Sequence, residues 1–102
     1  MAGLGISAID KYVAIDYIFV VKEITYTRAA IRVLRRIPAN VAARIEAKVS
    51  EYAADPASLA NNVTALKGRE GVRLRVGDWR VIMHDGVVLT ILDIGPRGGI
   101  YD

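Results

Sequence analysis

The sequence predicts an α+β domain in which two N-terminal helices pack on a small, mostly antiparallel twisted sheet, in the order β-α-α-β-β-β. Apolar residues recur at helical spacing through residues 28–37 and 41–52. Strict alternation of apolar and polar residues, typical of a half-buried hairpin, runs through residues 72–83. With 102 residues, the chain is long enough for one domain around one core.

The first strand is predicted at residues 22–27, where β-branched and aromatic residues alternate with polar ones. Thr27 can cap a helix that begins at Arg28, and Pro38 forces a break before a second helix. The apolar stripe of the second helix consists of Val41, Ile45, Val49 and Tyr52. This helix is expected to end near Asp55.

After the helices, residues 57–62 are predicted to form a polar loop. Strands are predicted at residues 64–66, 72–76, 79–83 and 87–92. The turn before the last strand contains Gly86, which is expected to be left-handed. A two-residue and a three-residue loop both fit here, and they send opposite faces of the last strand to the core. This strand is apolar on both faces, which favours a central position in the sheet.

The hairpin carries three arginines, Arg73, Arg75 and Arg80, on one face. If residues 77 and 78 form a tight primed turn, Arg75 lies directly opposite Arg80. Directly opposed like charges destabilise a sheet, so an anionic ligand is expected on this face. The opposite face is apolar and comprises Val72, Leu74, Val76, Trp79, Val81 and Met83. These side chains, Trp79 included, are expected to pack under the helices.

The composition narrows the class of protein. Hydrophobic residues make up 53% of the chain, charged residues 25%, and the net charge is +3. Ten of the fourteen cations are arginine, which matches phosphate in two-point geometry, so a phosphate-bearing partner is favoured. For the arginines in the helical segments, Arg32, Arg35, Arg36 and Arg44, a solvated helix face is the competing interpretation. The absence of cysteine excludes disulfides and thiolate chemistry. Without a long apolar run or a signal peptide, we expect a cytoplasmic protein.

No cofactor and no metal site are predicted. The single histidine, His84, lies at a predicted turn and is expected to be an exposed hydrogen-bonding residue rather than a catalytic one. Paired histidines or carboxylates at metal-ligand spacing do not occur. The glycine-rich stretch 95–99 lacks the lysine and hydroxyl residue of a P-loop, and it is better described as a loop that presents Arg97.

Several motifs of the chain, including those that contain the hairpin arginines and Arg97, resemble those of a known family. The motifs are Leu66-Lys67-Gly68, Val72-Arg-Leu-Arg-Val76, Trp79-Arg80-Val-Ile, Ile94-Gly95-Pro96-Arg97 and Tyr101. Their combination and spacing resemble the RelE/ParE toxin superfamily, from about residue 21 to residue 102. We therefore divide the chain into a toxin domain, residues 21–102, and an N-terminal extension of unclear role, residues 1–20.

The RelE branch, which the chain resembles best, cleaves messenger RNA in the ribosomal A site without a metal and is silenced by an antitoxin. The resemblance implies three catalytic residues, Arg80, Arg97 and Tyr101, and three RNA-binding residues, Lys67, Arg73 and Arg75. Tyr101 would act as a base if arginines stabilise its phenolate, would stack on a nucleobase, or would simply close the sheet edge. The best-known RelE pattern differs in having lysines at the positions of Arg73 and Arg75 and a further C-terminal helix.

Two alternatives stay open. The ParE branch of the superfamily uses the same fold to poison DNA gyrase without any chemistry of its own. A third possibility is a non-catalytic module that uses its arginine face to bind an acidic peptide or an antitoxin. In the interpretation we favour, the expected partners are a cognate antitoxin, messenger RNA and the ribosome. The toxin and its antitoxin are expected to form a hetero-oligomer.

Overall fold

The structure is a computed structural model, and it describes residues 21–99. Its helices and strands are β1 (Ile24–Tyr26), α1 (Arg28–Arg36), α2 (Ala39–Ala54), β2 (Val63–Ala65), β3 (Val72–Val76), β4 (Trp79–Asp85) and β5 (Leu89–Pro96). The five strands form one sheet in the order β1-β5-β4-β3-β2, with β1 parallel to β5 and the other pairs antiparallel. The predicted fold class is confirmed. Four strands follow the helices, as the four predicted strand segments require, one more than the order β-α-α-β-β-β counts.

The helices begin and end where the sequence predicts. Thr27 caps α1, because its Oγ1 accepts a hydrogen bond from the Ala30 N–H at 3.2 Å. The same hydroxyl donates to the carbonyl oxygen of Leu92 at 2.7 Å, which ties the start of α1 to β5. Pro38 separates the helices, and its carbonyl accepts from the N–H groups of Val41 and Ala42, both at 3.0 Å. Proline fits this N-terminal position because it has no N–H to leave unpaired.

The hydrophobic core lies between the two helices and one face of the sheet. Its buried members include Ala30, Ile45, Val49, Tyr52, Leu59, Leu74, Val76, Val81, Met83, Leu89, Ile91 and Ile94. Val72 and Trp79 are partly buried and pack against this cluster, so the apolar face of the hairpin is confirmed as the surface that the helices cover. Full burial of one large aliphatic side chain stabilises the fold by about 1.5–3 kcal/mol. The core therefore holds the opposite, polar face of the hairpin in a fixed place.

A β-bulge in β5 resolves the ambiguous register of the last strand. Asp85 pairs with Leu89, which leaves a three-residue loop, and Ile82 pairs with Asp93 while Met83 pairs with Ile91. Leu92 is therefore one extra residue. The bulge lets residues 91 and 94 both face the core, although their spacing is odd. Strand β5 spans Leu89–Pro96, so it begins and ends later than the predicted residues 87–92.

Two local predictions are wrong. Gly86 is not among the glycines with positive φ, so the loop after β4 does not use it in the left-handed conformation. The predicted polar loop at residues 57–62 is instead a 3-10 helical segment, Pro56–Asn62, anchored by the buried side chain of Leu59. The predicted N-terminal extension, residues 1–20, lies outside the described residues. Within residues 21–99, no helix has the length and apolar character needed to cross a membrane.

Candidate functional site

The three arginines of the hairpin lie on the face of the sheet turned away from the helices. Arg75 pairs with Arg80 and Val76 with Trp79, which is the predicted register. Gly77 has φ +58°, the left-handed backbone that a primed turn requires at its first central position. Because the turn fixes the register, the fold itself places Arg75 and Arg80 opposite each other. Arg73 follows two residues from Arg75 along the same face and pairs with Ile82.

These arginines line a small polar cavity of about 140 Å³. Its lining residues are Asn61, Asn62, Thr64, Arg73, Arg75 and Arg80. Three of these six side chains are cationic and none is acidic. We call this space the arginine cavity. Such a concentration of fixed positive charge attracts anions, and guanidinium groups bind phosphate oxygens in two-point geometry.

Arg80 folds back over the hairpin turn. Its Nη1 donates hydrogen bonds to the carbonyl oxygens of Gly77 at 3.0 Å and Trp79 at 3.1 Å. Two partly negative carbonyl oxygens thus lie against this guanidinium, which offsets part of the repulsion from Arg75. The turn also orients the Arg80 side chain, so its charge is held at the turn end of the cavity.

Arg97 reaches the same end of the hairpin from the end of β5. Its backbone N–H donates to the carbonyl of Asp78 at 2.7 Å, and its Nη1 lies 3.9 Å from the Asp78 Oδ1. Both side chains of this ion pair are largely exposed, which makes the pair weak. The structure therefore brings Arg97 to the turn that Arg80 also contacts, although Arg97 does not line the arginine cavity.

Lys67 and His84 lie at the other end of the hairpin. Lys67 is exposed in the loop that the Leu66 N–H closes by donating to the Gly71 carbonyl at 3.1 Å. His84 is exposed, and its Nε2 lies 3.3 Å from the Glu70 Oε1. Four residues of strand, about 13 Å, separate His84 from Arg80. Neither residue lines the arginine cavity.

Tyr101 lies outside the described residues. The described residues include two tyrosines, Tyr26 and Tyr52. Burial raises the pKa of Tyr26 to about 12, and the charge of Glu46 adds to this effect. Burial also raises the pKa of Tyr52 to about 12, aided by the hydrogen bond to Asp85 and that residue's charge. Both phenols therefore stay protonated at neutral pH. The described part of the chain offers no tyrosine ready to accept a proton.

A separate polar cluster joins α2 to the end of β4. The Tyr52 hydroxyl donates to Asp85 Oδ2 at 2.8 Å. Lys22 donates to the other carboxylate oxygen of Asp85. Burial works to raise the pKa of Asp85, but the hydrogen bonds from Lys22 and Tyr52 and the charges of Lys22 and His84 hold it below its ordinary value. This ionised carboxylate ties elements together, about 17 Å of strand away from Arg80.

Asn61, Asn62 and Thr64 are cavity residues that the sequence analysis missed. The 3-10 segment ends at Asn62, and Thr64 of β2 pairs with Arg73 of β3. A signal was available, because Thr64 begins a predicted strand and a polar pair precedes it. What the sequence did not show is the register of the β2–β3 pair, because residues 66–71 join these strands instead of a tight turn.

A second basic surface covers the exposed side of α1. Arg28, Arg32, Arg35 and Arg36 line a groove of about 450 Å³ together with Ile31. This helix contains no acidic residue, so its charge is not neutralised within the helix. The surface mixes cationic side chains with an apolar one, a combination that suits a protein partner as well as a polyanion.

Comparisons with known proteins agree with this geometry. The family model described as "ParE toxin of type II toxin-antitoxin system, parDE" matches residues 24–101. No match is found among curated protein sequences.

Several solved structures share the fold. The RelE-RelB complex of Pyrococcus horikoshii OT3 contains a chain with 23% identity and a TM-score of 0.66, over 78% of this chain and 99% of that one. The RelBE2 complex of Mycobacterium tuberculosis gives 19% identity and a TM-score of 0.64, over 76% and 100% of the two chains. The E. coli RelBE complex gives 18% identity and a TM-score of 0.58, over 74% and 95%.

The order of the strands, the position of the helices and the family model all point to one group of proteins. The family model covers both helices and all five strands of the described structure. The chain therefore belongs to the RelE/ParE superfamily, as a toxin of a type II toxin-antitoxin system.

Proposed function

We propose that the toxin acts as a metal-free endonuclease on messenger RNA, in the manner of the RelE branch that its motifs resemble. The observation that carries this proposal is the arginine cavity, in which Arg73, Arg75 and Arg80 meet neutral hydrogen-bonding side chains on one sheet face. Arg75 and Arg80 lie directly opposite each other, and like charges in this arrangement destabilise a sheet unless an anion binds beside them. Bound phosphates would offset the repulsion between those arginines.

In the proposed reaction, the 2′-hydroxyl oxygen attacks the adjacent phosphorus and the bond from phosphorus to the 5′-oxygen breaks. The products are a 2′,3′-cyclic phosphate and a 5′-hydroxyl. Arg73, Arg75 and Arg80 bind the scissile and flanking phosphates, and their charge stabilises the phosphorane. Arg97, held beside the turn, closes over the leaving group. The proton of the 2′-hydroxyl passes to a base and the 5′-oxygen takes one from water.

Tyr101 is the proposed base, and this role rests on the resemblance alone. A phenol with an ordinary pKa near 10 needs nearby cations to ionise at neutral pH. Lys67 is proposed to bind RNA outside the arginine cavity. Because arginine is a poor proton donor, we expect low intrinsic activity and dependence on the ribosome to align the message.

An antitoxin is the proposed protein partner. Solved structures named above are toxin-antitoxin complexes of RelE with RelB. On this chain the antitoxin is expected to cover an apolar or basic surface, and α1 offers both, with Ile31 among four arginines. A pull-down from the native operon that recovered no small adjacent-gene product would argue against this partner.

Inhibition of DNA gyrase is the second candidate function, because the matching family model carries the ParE description. Brief induction followed by mapping of RNA 5′ ends, with a parallel assay of plasmid supercoiling, separates the two candidates. Codon-phased cuts within translated messages support the endonuclease. Intact messages together with gyrase-dependent DNA breaks support the ParE activity and reject the nuclease. Intact messages and intact DNA would leave the non-catalytic binding module.

Site variants test the same proposal. Arg80→Ala and Arg97→Ala are each expected to abolish growth arrest, since loss of one donor to a charged transition state typically costs about 10²–10³ in rate. Arg44→Ala, an exposed arginine of α2, is the matched control and should stay toxic. Thermal unfolding of all three variants checks that the fold survives. Growth arrest by both site variants at wild-type strength would reject the assignment.

A further inference from the structure

The arginine cavity is lined by residues of two chemical kinds. Arg73, Arg75 and Arg80 are cationic, whereas Asn61, Asn62 and Thr64 are neutral, and we call these two sets the cationic wall and the neutral wall. Cations bind any phosphate and carry no information about the rest of a nucleotide. Amide and hydroxyl groups both donate and accept hydrogen bonds, so they can distinguish one neutral group from another. The neutral wall is therefore the part of the site that is able to select.

The neutral wall is held in place by the fold. Thr64 pairs with Arg73, while its neighbour Val63 pairs with Leu74 and packs against the core. Since side chains alternate along a strand, Thr64 must lie on the same face as Arg73. Opposed side chains on neighbouring strands have Cβ atoms about 5 Å apart. A group bound by Arg73 is thus within one nucleotide's reach of the Thr64 hydroxyl.

Asn61 is placed by its neighbours in the 3-10 segment. The Asn62 Nδ2 lies 3.5 Å from the Arg75 carbonyl oxygen, a long contact that points the segment toward β3. The buried Leu59 holds the preceding turn on the core. Asn61 itself is exposed while it lines the cavity, so its amide is accessible to a ligand.

We propose that Asn61 and Thr64 form a nucleoside-recognition subsite beside the phosphate-binding arginines. The Asn61 amide hydrogen-bonds the edge of an unpaired base, and the Thr64 hydroxyl hydrogen-bonds the ribose 2′-OH of the nucleotide whose phosphate lies against Arg73. This inference rests on the proposed messenger-RNA substrate. An acidic peptide would use the cationic wall and would have no ribose for the neutral wall to contact.

The test compares binding of RNA and DNA by the purified full-length chain. Fluorescence anisotropy measures affinity for short single-stranded RNA and DNA oligonucleotides of the same sequence, across a salt series. The wild type is expected to prefer RNA. Thr64→Val, which keeps the shape of the side chain and suits a strand, should weaken RNA binding by roughly three- to tenfold and leave DNA binding unchanged. Thr64→Ser, which keeps the hydroxyl, should retain the preference.

Base selection is tested separately with Asn61→Ala. The affinities of this variant for four oligonucleotides, each containing a single kind of base, should become nearly equal. The cut sites mapped in cells should lose their base preference next to the cleaved bond. Arg73→Ala should instead weaken binding to every oligonucleotide and lower the salt dependence by about one phosphate contact. Asn40→Ala on α2 and Thr25→Val on β1, both exposed and outside the cavity, are the matched controls.

The outcomes separate this subsite from the proposed function. If Thr64→Val and Asn61→Ala leave the RNA preference and the base preference as they are in the wild type, the subsite is rejected while the endonuclease proposal stands. Equal losses for RNA and DNA reject it as well. If the wild type binds no RNA and its toxicity follows gyrase, both proposals fail together. Melting curves verify that each variant is folded.

Discussion

Removing one of the two opposed arginines, Arg75 or Arg80, should raise the stability of the fold and lower the affinity of the protein for RNA. Arg75→Gln is the cleanest change, because Arg75 is exposed and glutamine keeps most of its length. Arg80 is less suitable, since its guanidinium also hydrogen-bonds the Gly77 and Trp79 carbonyl oxygens. The register places Arg75 directly opposite Arg80, so the variant removes a specific repulsion.

The magnitude follows from Coulomb's law. Two unit charges about 6 Å apart in a water-like dielectric repel by about 0.7 kcal/mol, and screening at physiological salt reduces this to about 0.3 kcal/mol. For a domain of this size the gain corresponds to a rise in melting temperature of roughly 3–5 °C at low salt and about 2 °C at physiological salt. Affinity for single-stranded RNA should fall, and its salt dependence should decrease by about 0.7 in the logarithmic slope.

Thermal unfolding by circular dichroism at two salt concentrations measures the first effect, and fluorescence anisotropy measures the second. Arg44→Gln on α2 is the control, because it removes an exposed arginine that has no opposed cation in the sheet. The reasoning is refuted if Arg75→Gln gives no stabilisation at low salt, or if the gain is the same at both salt concentrations. Stabilisation without any loss of RNA affinity would refute the functional half alone.

Two further predictions concern stability. Gly71→Ala should cost roughly 2 kcal/mol in the free energy of unfolding, because Gly71 has φ +119° and a Cβ there would lie 2.8 Å from a backbone carbonyl oxygen of β4. Gly68→Ala, at φ +73° in open space, should cost only about 1 kcal/mol, and urea unfolding compares the two; equal costs would show that the close approach is unimportant. The hydrogen bonds and charges around Asp85, chiefly from Lys22 and Tyr52, lower its pKa, so its contribution is present above its ordinary value near 4 and is lost as the pH falls through the lowered folded value. Asp85→Asn should therefore be less stable than the wild type at pH 7 and approach it in acid, and a difference that stays constant with pH would contradict this account.

Short-range patterns explain most of what could be predicted about the fold. The alternation around the Gly77 turn determines the hairpin, its register and its two faces, because side chains in a strand alternate with a period of two. Helix α1 could be predicted at both ends, since Thr27 caps it and Pro38 lies two residues beyond its last residue, Arg36. The prediction failed at Gly86, where the loop length depends on which face of β5 reaches the core.

The candidate site likewise has one part that local sequence patterns predict and another that they do not. The shared face of Arg73, Arg75 and Arg80 could be read from the chain, because it follows from covalent geometry and one tight turn. In contrast, the folded domain was needed to show that Asn61 and Thr64 complete the cavity and that Arg97 lies at the hairpin turn. Thr64 reaches the cavity because β2 pairs with β3, the next strand along the chain, and Arg97 reaches the turn because β5 pairs with β4, with a bulge at Leu92 that sets the phase of β5. The registers of these pairs are selected by the packing of the sheet against the core and not by one tight turn, so the alternation within a single strand does not specify them.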